Sequence, residues 1–173
     1  MTFYINQAEK KVPTHVILFR RNEIRLLLSV AMNHTLGIDL GSVRIGLALS
    51  DDLGWMAHPW QTLSRSPQST SEIARLALEK KVATIIVGLP RNMNGTYGPA
   101  AEQCRTFAHE LQQKTEAKVI LWDERLTTAA AARHLYEAGR SSKQQRAIID
   151  QVAAQQILQD WMDAQQNRLE AGS

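Results

Sequence analysis

Few folds accommodate the stretch from His34 to Ser50, HTLGIDLGSVRIGLALS. Its apolar residues alternate on either side of a break at Gly41-Ser42, so it reads as two strands joined by a tight turn. Alternation places Leu36, Ile38 and Leu40 on one side of the first strand and Gly37, Asp39 and Gly41 on the other. On the second strand Val43, Ile45, Leu47 and Leu49 share a face, opposite Arg44, Gly46, Ala48 and Ser50. A carboxylate is thus set among glycines and small residues, with an apolar face behind it. Glycine weakens a strand and tends to mark the close approach of a ligand or another backbone. An acid beside a turn is common, but this setting favours a site.

The elements that follow predict an α/β fold. Ala57 to Leu63 can form a third strand, with Pro59 favouring an edge. Ser69 and Glu72 have the spacing of a capping box, followed by Ile73, Leu76 and Ala77 at helical intervals and by Lys80 and Lys81 at the helix end. Thr84 to Val87 is a short apolar run suited to a strand covered on both faces. After a loop with a turn at Asn94-Gly95, Pro99 opens a helix whose seam is Cys104, Phe107, Ala108 and Leu111. Lys118 to Glu124 forms another strand; Thr127 or Thr128 caps an alanine-rich helix that Gly139 stops. A last long helix begins near the polar stretch Ser141 to Arg146, runs past Trp161 and gives way to a polar tail. The order β-β-β-α-β-α-β-α-α predicts a mixed sheet with helices on its faces.

Residues 34–165 read as one domain and residues 166–173 as the tail. Residues 1–33 read as an extension outside the core, and Met32 stands where a natural start would. Val16-Ile17-Leu18-Phe19 is cut off by Arg20-Arg21, so neither a membrane span nor a secretory signal is expected there. The single cysteine, Cys104, falls on a helix seam; it excludes an internal disulfide and fits a reducing compartment, the cytoplasm. A net charge of +3 permits a polyanionic partner without requiring one.

The last helix carries an anomaly. At 100° per residue Ala153, Ala154, Ile157 and Trp161 all fall within about 60° of Asp150, and Gln151, Gln155, Gln156 and Gln159 lie away from that centre. An acid in the middle of an apolar stripe needs a partner, either an arginine or a metal ion. An acid at 123 or 124 ends a parallel strand, where open α/β sheets place ligands. Asp39, Asp150 and that acid form an oxygen-only set without histidine or cysteine, which suits Mg²⁺ or Mn²⁺. Carboxylates gathered on such ions serve two-metal phosphodiester cleavage.

Gly37-Ile38-Asp39-Leu40-Gly41, Ile86-Val87-Gly88-Leu89-Pro90, Asn94-Gly95, Asp123 to Thr128 and Ile149 to Ala154 together resemble the YqgF (RuvX) family of ribonuclease H-like nucleases, related to the RuvC resolvases. The resemblance covers residues 34 to 165 in order. It implies a ribonuclease H-like, five-stranded mixed sheet flanked by helices, with a divalent-metal site at Asp39, Glu124 and Asp150, and Glu124 rather than Asp123 in the catalytic position. It also implies hydrolysis of phosphodiester bonds, in 5′-end processing of pre-16S rRNA for ribosome biogenesis or, alternatively, in Holliday-junction resolution on branched DNA. Arg44, Arg91, Arg125, Arg140, Lys143 and Arg146 fall in or beside site-proximal loops and are candidates to hold phosphates. A monomer or a homodimer is compatible with these roles. Arg91 and Asn94 stand where the family often has an apolar residue and aspartate, and neither touches the acids.

Two rival readings compete with this one. Gly-Ile-Asp-Leu-Gly-Ser also resembles the phosphate-binding hairpin of actin-like and sugar-kinase ATPases, but those need a second such domain, for which this chain has no room. A nucleic-acid-binding assembly factor without turnover is the other rival, opposed by the presence of all three acids.

Overall fold

A computed structural model describes residues 33–92, 94–123 and 143–171. Five strands form one sheet among these residues: β1 (His34–Leu40), β2 (Arg44–Ser50), β3 (Ala57–Ser64), β4 (Val82–Leu89) and β5 (Lys118–Asp123), in the order β3-β2-β1-β4-β5. β1, β2 and β3 pair antiparallel, while β4 runs parallel to β1 and β5 parallel to β4. This is the five-stranded mixed sheet of the ribonuclease H-like expectation. Three helices accompany it: α1 (Ser69–Glu79), α2 (Pro99–Gln112) and α3 (Lys143–Ala171). The alanine-rich helix expected after Thr127 lies outside the described residues, as does the segment 1–32.

The two faces of the sheet are covered differently. Leu36, Ile38, Ile45, Leu47, Ile85 and Val87 meet Ile73 and Leu76 of α1 and Cys104, Phe107 and Leu111 of α2 in a continuous apolar core. Each such aliphatic side chain contributes about 1.5–3 kcal/mol on burial. Cys104 is buried there, as its seam position predicts. Among the described residues the other face carries α3 alone, through Ala154, Ile157, Leu158 and Met162 against Ala48, Ala57 and Ile86. β4 contributes to both cores, as an apolar run without alternation should.

Several local expectations change. Ser69 does not cap α1: it is the helix's first residue, Gln68 holds the cap position, and no side chain bonds there. Instead the Ser69 hydroxyl accepts from the Ser66 amide at 2.8 Å and reaches the Ser64 carbonyl at 3.3 Å, tying the helix to the end of β3. Val43 is not on a strand's apolar face, because β2 begins at Arg44 and Val43 stands exposed in the turn. The last helix starts at Lys143 and continues through Ala171, so residues 166–171 are helical rather than tail. Nothing in its sequence breaks it, since residues 143–171 contain neither glycine nor proline. β3 is an edge strand, as Pro59 predicts, with an irregularity opposite Leu47 and Ala48.

Candidate metal and nucleic-acid site

Asp39 pairs across the ladder with Gly46, and Gly46 in turn with Thr62 of β3. On the other side, Ile38 pairs with Val87, so the next residues, Asp39 and Gly88, continue the row, and Gly88 pairs with Trp122. The sheet therefore presents Thr62, Gly46, Asp39, Gly88 and Trp122 as one cross-strand row beneath α3. Two of its five positions have no side chain.

These small positions let the helix descend. A Cβ on Gly46 would stand 1.9 Å from the Asp150 carbonyl oxygen, and one on Gly37 would stand 2.7 Å from that of Ala154. The backbone of Asp150 thus lies directly over the strand partner of Asp39. α3 runs antiparallel to β1, so its first turns overlie the carboxyl end of that strand, where Asp39 is buried at 3% exposure. Asp39 and the backbone of Asp150 are thus brought to the same corner, although 111 positions separate them in sequence.

Asp150 has a partner. Arg44 Nε donates to its Oδ2 at 2.5 Å, with the two side chains 27% and 20% exposed. Arg44 shares the Gly46 face of β2, so its reach to the helix follows from strand alternation. Arginine is one of the two partners the sequence suggests for an acid on this stripe. The pair is incompletely buried and carries no net charge, which removes much of the cost of placing Asp150 there.

The carboxyl end of β5 separates its two acidic positions. Val119 and Leu121 pack on the α1–α2 core, whereas Ile120 and Trp122 pack on the α3 core. By the same alternation Asp123 belongs to the α1–α2 side, where Arg91 Nη1 donates to its Oδ2 at 3.2 Å and the Tyr97 hydroxyl approaches it at 3.4 Å. Glu124 lies outside the described residues, and among those described no three acidic, histidine or cysteine side chains gather.

The candidate phosphate contacts divide similarly. Arg44 is held by Asp150, and Arg91 is held by Asp123 and by a bond to the Gly95 carbonyl. The Arg91 guanidinium also sits over the Tyr97 ring at 5.1 Å, with Arg105 over the same ring at 5.0 Å. Arg146 is exposed on the first turns of α3. Arg125, Arg140 and the side chain of Lys143 lie outside the described residues.

Sequence reasoning missed two further parts of the site. Thr62 bonds to the Ala147 carbonyl at 2.7 Å and accepts from Gln151 at 3.2 Å, pinning the start of α3 over the row. Trp122 closes the row with a buried indole N–H that has no hydrogen-bond partner among the described residues. Neither has a periodic signal of its own; each is found only from strand register.

A family profile described as "RuvX: Holliday junction resolvase" matches residues 33–164. A relative from Halalkalibacterium halodurans named "Putative pre-16S rRNA nuclease" is 46% identical over 136 residues, covering 76% of this chain and 97% of the relative. One of the same name from Myxococcus xanthus is 48% identical, covering 75% and 87%. A more distant backbone likeness, at 17% identity and a TM-score of 0.42, is to a structure described as "T. thermophilus RuvC in complex with Holliday junction substrate", covering 78% of this chain and 96% of that one. With the profile spanning the whole sheet and all but the last seven residues of α3, and relatives above 40% identity matched over most of their length, the chain belongs to the RuvX family.

Proposed function

We propose that the protein is a divalent-metal-dependent nuclease that hydrolyses phosphodiester bonds, with the precursor of 16S ribosomal RNA as its substrate. One observation carries the reading: the helix backbone at Asp150 is packed onto Gly46, the strand partner of a buried Asp39. A fold aiming only at stability would fill that corner with apolar side chains, as the opposite face does.

The residues fit a hard cation. Asp39 and Asp150 supply carboxylate oxygens, and no soft ligand stands with them in the row. The alternation along β5 is the reason for choosing Glu124 over Asp123 as the third ligand, since Trp122 already marks the α3 side. Mg²⁺ or Mn²⁺ held there would activate a water and offset charge on the departing oxygen. Arg44 orients the Asp150 carboxylate through Oδ2, and the packing of α3 keeps that carboxylate in place. Arg146 on the first turns of α3, with Lys143, Arg125 and Arg140, would take the phosphates flanking the scissile bond.

The choice of RNA rests on the names of the curated relatives, and the place of action follows as the cytoplasm. The family description favours a second reading, resolution of branched DNA, for which a homodimer would suit the symmetry of a four-way junction. A side-by-side cleavage assay on precursor rRNA and a four-way junction, with Mg²⁺, Mn²⁺ and chelator, tests both. Cleavage of the RNA that chelator abolishes is expected; cleavage of the junction alone selects the second reading, and cleavage of neither removes both.

A further inference from the structure

The end of the sheet remote from Asp39 carries an apolar surface that the nuclease reading does not use. Between β2 and β3 the chain turns through residues 51–56, and Leu53, Trp55 and Met56 stand 78%, 63% and 57% exposed. Single exposed apolar residues are ordinary, but three large ones within four positions form a patch that ordinarily meets a partner. The turn is firmly held. Asp51 Oδ1 accepts from the amides of Trp55 and Met56 at 2.7 and 3.2 Å, and the Asp51 amide donates to the Met56 carbonyl at 2.8 Å. Gln159 of α3 adds a bond to the Trp55 carbonyl at 3.1 Å. The three side chains are therefore displayed from a backbone that has little freedom to turn them inward.

We propose that the occupant of this patch is the protein's own amino-terminal segment, through Val16–Phe19 and Leu26–Leu28. Three observations select it. First, the segment joins the described chain at the patch: His34, the first residue of β1, bonds to the Ser50 carbonyl at 3.0 Å and approaches Asp52 at 3.4 Å. Leu28 precedes His34 by six residues, a span of about 20 Å at most when extended, so the patch lies within easy reach. Second, its composition matches: apolar residues are interrupted by Lys10, Lys11, Arg20, Arg21 and Arg25, against two glutamates, and the turn carries Asp51 and Asp52. Third, the tether makes contact intramolecular, so modest contacts suffice at the effective concentration a short linker gives. The covered surface lies at the opposite end of the sheet from Asp39 and Asp150, so docking leaves the candidate nuclease site open.

Hydrogen exchange read by mass spectrometry on the full chain tests this. Amides of residues 16–28 are expected to exchange at least about tenfold more slowly than in an isolated peptide of that sequence. The substitutions L53S, W55S and M56S together are expected to restore peptide-like exchange. The reciprocal variant L26S/L27S/L28S should speed exchange in residues 53–56 and lower the melting temperature by no more than the few degrees that loss of the docking contact removes. Peptide-like exchange of 16–28 in the unaltered chain would overturn the proposal. So would protection that survives the patch substitutions, or an oligomer that those substitutions split in sedimentation while 16–28 remains unprotected, since the occupant would then be a second copy.

Discussion

The two faces of the sheet obey different rules. Under α1 and α2 the strands offer Leu36, Ile38, Ile45, Leu47, Ile85 and Val87, and the helices stand off by the thickness of those side chains. Under α3 the strands offer Gly37, Gly46, Ala48 and Ala57, and helix backbone comes down to where a Cβ would sit. The first face gains from volume and the second from its absence. Large residues bury more area per contact, so the second face gives up hydrophobic stabilisation. What it obtains is position, because the carboxylate of Asp150 is carried on backbone that cannot drift away from Asp39.

Substitutions that treat the faces alike should therefore give unlike results. Leu111→Ala on the α2 side is expected to cost about 2–5 kcal/mol of stability by leaving a cavity, with cleavage per folded molecule unchanged. A rate that fell in step with the melting point would mean that the apolar face also tunes the site. Asp39→Asn is expected to lower cleavage by more than about 100-fold, beyond the loss from an outer partner of a metal ligand, to the level seen with chelator. Residual metal-dependent turnover near the native rate would remove Asp39 from the site.

Gly46→Ala sharpens the contrast, because one methyl group must push α3 outward. About 1–3 kcal/mol of stability should be lost, together with about tenfold or more of the rate through a displaced carboxylate. A fully active, equally stable variant would show that the helix is not held by this approach. Asp150→Asn should abolish cleavage. Since it also weakens the bond with half-buried Arg44, it should cost about 1 kcal/mol rather than improve the metal-free fold, and Arg44→Gln should cost a similar amount with partial activity. An Asp150→Asn protein that melts lower yet cuts normally would leave the residue a purely structural role.

The smallest effect belongs further along the same helix. Desolvation, aided by the negative charge of Asp163, holds the Asp160 carboxyl above its usual range, and its Oδ2 has no partner. An acid whose folded pKa is raised keeps its proton more readily when folded, so its contribution is fully favourable below the unfolded value near 4 and is lost as pH rises through the folded value. Asp160→Asn should then raise stability at pH 7 by at most about 0.5 kcal/mol, allowing for solvent screening, and by nothing at pH 3. Melting curves at the two pH values decide it, and an equal gain at both would refute the desolvation account.

Much of this was legible in the sequence wherever burial and periodicity coincide. The β1–β2 hairpin, the apolar run of β4 and the seam of α2 announce themselves because alternation and helical spacing report a face directly. The capping motif at Ser69 misleads because spacing alone does not show that the chain bends at Ser64 to Ser66 and takes up the hydroxyl. Asp150 stood out as an acid on an apolar stripe, but Arg44, 106 positions away, could be matched to it only through register and helix placement. Glutamines 151, 155 and 159 read simply as polar. They are only partly exposed, and they reach Thr62, the Ala57 carbonyl and the Ala57 amide. A side chain bonded to a strand edge and one bonded to water leave the same mark on a helical wheel.

Those glutamines also bear on how copies of the protein can meet. The amide and carbonyl of Ala57 point away from β2 and would invite a further strand, yet Gln159 and Gln155 occupy them at 2.8 Å each. At the opposite border Gln112 takes the Val119 amide and the Ala117 carbonyl. Along these stretches both margins of the sheet are closed by side-chain amides from helices packed on opposite faces. Open margins are where β-proteins fuse into ribbons and aggregates. At those positions the protein is guarded against templated stacking, and a symmetric pair that extended the sheet would have to form beyond them.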